Sequence, residues 1–329
     1  MNIYIRSSAS VSPFSHPANN NTVQDGMRCA DPDLSAFIDP KLSRRMSHVI
    51  KMGIAASFDA LNAAGNIQPN AIITGTAYGC LEDTGIFLKK QVQQQETMLT
   101  PTAFIQSTHN TVGGQIGLML HCNGYNNTIV HRGFSFEQAL QDAMLLLLEN
   151  NADNVLVGAA DEITNASQTL LSRFGLYKKE NLDTGITEDG TIAGEGASYF
   201  VLSSKPSGKN IAVLQGLHMF YKPAKEAIAK EISSFLAAHS LQATDIDVIV
   251  TGHNGDKATD KQYDELLGEI FPLKKTISFK EQSGEYPTAS AFALHKASQL
   301  LQESKAIKNV LIYNHYENIH HSLQLVTAC

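Results

Sequence analysis

The sequence predicts a layered α/β protein with buried sheets. Short β-branched or apolar runs alternate with segments of helical period, several run ends pass directly into glycine, and a second series of such units follows the first. In the first series the strand-like runs are Ile72-Ile73-Thr74, residues 116–120, Thr128-Ile129-Val130, Val155-Leu156-Val157 and residues 199–202. The second series reads as a strand at 211–214, a helix at 224–239, a strand at Val248-Ile249-Val250, helices at 262–270 and 289–302, and a strand at 310–313. The halves echo each other without a detectable sequence repeat. Ser, Pro and Gly cluster at 203–209, which places the division there and gives two tightly packed halves, 1–204 and 205–329.

Composition narrows the function classes. Hydrophobic residues make up 43% and charged residues 17% of the 329, so a large core is available. The net charge is -7 and no run of Lys or Arg exceeds two, which leaves no footprint for nucleic acid or an anionic membrane. Cys29, Cys80, Cys122 and Cys329 lack the spacing of a disulfide or zinc framework and read as reduced thiols of a cytoplasmic protein. Residues 1–14 lack a signal-peptide core, and the longest apolar run, 143–148, is too short to span a membrane.

Residues 128–143 carry the most information. The run Thr128-Ile129-Val130 supplies a strand, and Phe136, Ala139, Leu140 and Ala143 give the i, i+3, i+4, i+7 stripe of a buried helix face. A sharp strand-to-helix turn of this kind presents its tip to a pocket at a helix N-terminus, where free N–H groups stabilise a thiolate or an oxyanion. The tip here is Gly133, which has nothing to present.

Further segments, in order, resemble the β-ketoacyl synthases of the thiolase-like superfamily: Asp39-Pro40 with Arg44-Arg45-Met46 and a helix at 52–61; Thr74-Gly75-Thr76-Ala77-Tyr78-Gly79; 101–120 with Ser107, His109-Asn110 and Gly113-Gly114; residues 155–162; and Gly194-Glu195-Gly196-Ala197. The resemblance implies a five-layer α-β-α-β-α fold of two stacked pseudo-duplicate halves with the active site between them. It also implies three chemical groups, a cysteine and two of the His/His or His/Asn type. Gly133 stands in the cysteine's position. Register errors of one residue would offer Arg132 or Phe134, and Ser135 has the right atom but one turn into the helix, where a hydroxyl caps or back-bonds the backbone.

The turn Gly252-His253-Asn254-Gly255 resembles the family's histidine-bearing loop but is one residue shorter, so His253 reads either as a relic of the first histidine or as a solvated loop residue. Residues 280–285 match the family's Lys-Ser-x-x-Gly-His segment with Lys280 kept and the histidine replaced by Glu285. A carboxylate there repels a developing enolate, and a pairing with Lys280 or Arg132 is the bland alternative. Residues 314–322, including Tyr316, take the place of the family's glycine-rich gating loop without its glycines, and their His and Glu residues lack the i, i+4 spacing of a helical metal site.

No cofactor or metal is expected. The resemblance implies a cysteine-less partner of the chain-length-factor type, in fatty-acid or polyketide synthesis, possibly of aryl-polyene kind. Such a subunit pairs with an active ketosynthase through the strand at 155–159 and contacts acyl carrier protein. The alternatives are an enzyme acting on acyl or malonyl thioesters through His253 without the cysteine, and a homodimeric acyl-binding scaffold.

Overall fold

A computed structural model describes residues 2–18, 26–97, 99, 101–178 and 189–329. The first half contains β1 (Ile3–Val11), α1 (Pro40–Ser43), α2 (His48–Ala63), β2 (Ala71–Gly75), α3 (Leu81–Gln93), α4 (Pro101–Gln106), α5 (Thr111–Met119), β3 (Tyr125–Ile129), α6 (Ser135–Leu148), β4 (Asn154–Asp161), α7 (Asn165–Arg173) and β5 (Gly196–Ser203). The second contains β6 (Ala212–Tyr221), α8 (Lys225–Ala238), β7 (Val248–Thr251), α9 (Lys257–Ile270), β8 (Lys275–Ser278), α10 (Lys280–Ser283), α11 (Ser290–Glu303), β9 (Asn309–Tyr316) and β10 (His320–Thr327).

The strand order is β3-β2-β4-β5-β1-β6-β10-β9-β7-β8. Read outward from its centre, it is one pattern used twice. In each half two inner strands run parallel to an outer one, and two antiparallel strands lead back to the centre. The halves join where β1 and β6 pair antiparallel at Ile3–Leu214, Tyr4–Val213 and Ile5–Ala212.

Burial explains the layers. The apolar stripe of α6 (Phe136, Ala139, Leu140, Ala143) and that of α11 (Ala291, Leu294, Ala297, Leu301) are completely or almost completely buried in one central cluster with residues of both sheets. A second cluster packs α2 and α5 on the outer face of the first half, and a third packs α8 and α9 on the outer face of the second. The result is α-β-α-β-α, the expected five layers, each sheet covered on both faces.

Three expectations are corrected. Residues 116–120 lie in and just beyond α5, not in a strand, because a short apolar run does not distinguish the two by period. The segment 155–159 is no edge: β4 is hydrogen-bonded to β2 on one side and β5 on the other, so the open edge of the first half is β3. Residues 314–322 form a hairpin rather than a gating loop, closed by Glu317 and Asn318 at φ 53° and 52°. The strands β1, β8 and β10, not among the runs expected from the sequence, complete the sheet.

Candidate functional site

After β3 the chain makes a single 3-10 turn, Arg132–Phe134, and enters α6. Arg132 takes the left-handed conformation, φ 45°, and its side chain is exposed. Ser135 fastens the turn: its Oγ donates to the Arg132 carbonyl at 2.8 Å and accepts from the His131 N–H at 2.8 Å. That hydroxyl is committed to the backbone, and among the described residues no side-chain base is hydrogen-bonded to it.

Gly133 is buried beneath the β9–β10 hairpin. A Cβ added to it would lie 2.7 Å from Tyr316 Cβ and 3.0 Å from both Cβ and Cγ of His320, closer than packed carbons approach. Phe134 seals the flank, its ring edge-on to His320 at 4.8 Å. The Tyr316 hydroxyl meets that of Tyr78 at 3.3 Å, and burial, with Tyr78 and Glu317 adding to it, pushes its phenol far above the ordinary range. Behind the turn Glu137 is fully buried and accepts from Ser322 Oγ at 2.8 Å; burial pushes its carboxyl up, partly offset by Ser290 and Ser322.

The second turn is bare in the same way. The residue after β7 that faces buried Lys280 is Gly252, whose added Cβ would sit 2.4 Å from Asn314 Oδ1 and 3.2 Å from Lys280 Nζ. His253 turns toward α9 instead, its side chain only 18% exposed. Its Nδ1 lies 2.7 Å from Thr251 Oγ1, its Nε2 3.2 Å from exposed Asp264, and its ring stacks on Tyr263 at 4.6 Å.

Lys280 and Glu285 form a buried pair. Lys280 Nζ donates to Glu285 Oε2 at 2.8 Å and to the His315 carbonyl at 3.0 Å, and Asn254 Nδ2 donates to the same Oε2 at 2.7 Å. Lys280, not Arg132, is therefore the partner of Glu285. The structure brings Gly133 and Tyr316 together, and Glu285 with Lys280, while Tyr316 lines the cavity that Glu285 also lines.

Sequence reasoning passed over a clamp that supports this region. His48 Nδ1 lies 2.6 Å from Asp31 Oδ1 and its Nε2 3.0 Å from Glu195 Oε1. Glu195 also accepts the Cys29 and Ile163 N–H groups at 2.8 Å each. Although burial opposes it, the Glu195 and Asp31 carboxylates raise the His48 imidazole to about 9. The available signal was Glu195 itself, an ionisable residue between two glycines just before an apolar strand. Among the described residues no three His, Cys, Asp or Glu side chains gather as a metal site requires, and no helix is long and apolar enough to cross a membrane.

Comparison with known proteins agrees with this geometry. Residues 16–170 match the family described as beta-ketoacyl synthase, N-terminal domain. That match covers just under half of the chain. A 3-oxoacyl-[acyl-carrier-protein] synthase homolog of Saccharomyces cerevisiae is 23% identical to this chain over 239 residues, covering 63% of the chain and 53% of the relative. The chain thus spans about half the length of that relative. Three solved structures, each covering 100% of the chain with 99% of their own, share the ketosynthase fold. They are the ishigamide ketosynthase/chain length factor (TM-score 0.77, 16% identity), a type II PKS acyl-carrier protein in complex with its ketosynthase bound to the hexaketide (0.79, 15%), and a beta-ketoacyl synthase from Burkholderia phymatum STM815 (0.80, 15%).

Proposed function

We propose that this chain is a non-condensing ketosynthase-like subunit, of the chain-length-factor type, that works beside a cysteine-bearing synthase in polyketide or fatty-acid synthesis. The observation that carries the reading is the filled space over Gly133: the turn lacks a thiol, and Tyr316 and His320 stand where one would project. Three further points support it. Gly252 gives the second turn no histidine facing Lys280, His253 faces Asp264, and Glu285 places a carboxylate where an enolate needs a donor. The enzyme alternative through His253 finds no support in this arrangement.

Pairing is assigned to β3. It is an open edge strand, and Leu118, Tyr125, Val130, Leu145 and Leu148 on and around it are large apolar side chains left exposed. An edge of this kind is covered in solution by another chain. The working unit would be a heterodimer with an active synthase in the cytoplasm, served by an acyl carrier protein, with residues 1–204 and 205–329 as its two halves.

Co-expression with a cysteine-bearing synthase, followed by size exclusion, tests the reading. A stable 1:1 complex is expected, in which incubation with an acyl thioester labels the partner only. An acyl group on this chain by intact mass, or homodimers alone, would overturn it.

A further inference from the structure

The sequence contains two Asn-Gly pairs, Asn123-Gly124 and Asn254-Gly255, and the fold treats them in opposite ways. In such a pair the glycine nitrogen can turn back on the asparagine side chain, because glycine has no Cβ to hinder the approach. Asparagine is a thermolabile residue on this account. The second pair is held from several sides. Asp260 accepts the Asn254 N–H on Oδ1 and the Gly255 N–H on Oδ2, both at 2.9 Å. The Asn254 side chain donates to Glu285 at 2.7 Å and accepts from the Asp256 N–H at 3.1 Å. The nitrogen that would attack and the amide that would be attacked are both engaged.

The first pair lacks every one of these restraints. Asn123 and Gly124 lie between α5 and β3, and both are exposed. Among the described residues neither the Asn123 side chain nor the Gly124 N–H makes a hydrogen bond. The Gly124 α-carbon is instead wedged against the residue before β2, where an added Cβ would collide with the Asn70 carbonyl oxygen. Asn70 is fixed in turn, its Oδ1 accepting the Asp153 and Asn154 N–H groups at 3.0 and 3.1 Å. The entry to β3 therefore leaves the reacting groups free and the main chain without slack.

We propose that Asn123 is a self-modifying site at the start of β3, converted to aspartyl and isoaspartyl forms while Asn254 stays intact. The Gly124 nitrogen attacks Asn123 Cγ, forming a new N–C bond as the Cγ–Nδ2 bond breaks. Ammonia leaves, carrying the proton that Gly124 gave up. Water then opens the cyclic imide at either carbonyl, giving aspartate or its isomer with an extra methylene in the main chain. No electrons are exchanged, and water is the sole co-reactant. Both products put a carboxylate where the open edge begins, and the isomer also lengthens a stretch that the Gly124 wedge gives no room to lengthen. The inference goes beyond the partner role and does not depend on it.

Peptide mapping of the full chain after incubation at mildly alkaline pH, in buffer and in urea, decides the matter. In buffer Asn123 is expected to convert at least about tenfold faster than Asn254, the effect of one or two hydrogen bonds that must break first. In urea, where the fold no longer holds the second pair, the two rates should converge. Asp260→Ala frees both N–H groups of the second pair and should raise the Asn254 rate several fold in buffer while leaving Asn123 unchanged. If that variant fails to fold, the comparison of buffer with urea still decides. Asn123→Gln, in an exposed segment, should abolish the first product, and labelling by an isoaspartyl methyltransferase counts the isomer. Asn254 converting as fast as Asn123 in buffer, or the preference for Asn123 persisting undiminished in urea, would refute the proposal.

Discussion

The unit β3–turn–α6 and its counterpart β8–turn–α11 hold equivalent places in the two halves, and their characters are opposite. Each begins with an outer strand parallel to an inner one and ends in a helix of the central layer. Around β3 large apolar side chains are left exposed beside polar Asn126, Leu118 at 69% and Leu145 at 48% among them. Along β8 the outward residues are Lys275 and Thr276, beside an isolated Leu273 in the preceding turn. The turn after β3 buries Gly133 and Phe134 beneath a hairpin, whereas the turn after β8 buries an ion pair. On the proposed pairing, one architecture used twice carries an edge covered by a partner chain and an edge that stays bare, since lysine on an outer strand discourages pairing.

The largest break in that contrast is expected at the buried pair. Lys280→Met leaves Glu285 with Asn254 alone and should cost about 3–5 kcal/mol, the range for stranding one charge of a buried pair. The double variant Lys280→Met/Glu285→Leu should recover much of this. Urea unfolding measures both, and a double variant less stable than Lys280→Met would mean that the two groups do not act on each other.

Next come the edges. Leu118→Glu with Leu145→Glu should weaken pairing by about 2–4 kcal/mol, roughly 30- to 1,000-fold, if these are anchors of a covered edge. Lys275→Glu on β8 should leave it unchanged. Sedimentation of the complex with an active synthase reads the difference, and equal effects at both edges would remove the distinction.

A pH series sharpens the comparison at the junction of the halves. Residues 192–194 hydrogen-bond to the Glu285 backbone, and Glu195, next in the chain, holds His48. With the His48 imidazole raised from 6.5 to about 9, its contribution is complete below pH 6.5 and is lost as pH climbs to about 9. The stability gap between the native chain and His48→Gln should therefore shrink across that window, by roughly 2–3 kcal/mol. A gap that is flat or widens with pH would mean that His48 is not held charged.

How much of this was legible in the sequence follows from the range of each signal. The inner strands were readable because β-branched runs such as Ile72-Ile73 and Val248-Ile249-Val250 are fully or almost fully buried. The elbow was readable from the stripe of α6, and Glu285 from its place after Lys280. Strand order was not, since nothing local in 155–159 says that β4 has two neighbours. β10 was missed because His320, His321, Ser322 and Gln324 look like loop residues although all are buried. The direction of His253 turned on a single residue of phase, which places Gly252, not the histidine, against Lys280.

The smallest expected effect tests the first-half turn itself. Gly133→Cys restores the missing sulfur, but its Cβ must displace Tyr316 and His320, so a loss of about 1–3 kcal/mol is expected from overpacking. Because the hairpin covers the position, the new thiol should stay unacylated on incubation with an acyl thioester, as read by intact mass. Adding Tyr316→Gly removes the nearest obstruction, and part of the lost stability should return relative to Tyr316→Gly alone. If Gly133→Cys were instead neutral in stability and readily acylated, the hairpin would be a movable cover, and the first-half turn would differ from a working elbow by one atom group and not by its packing.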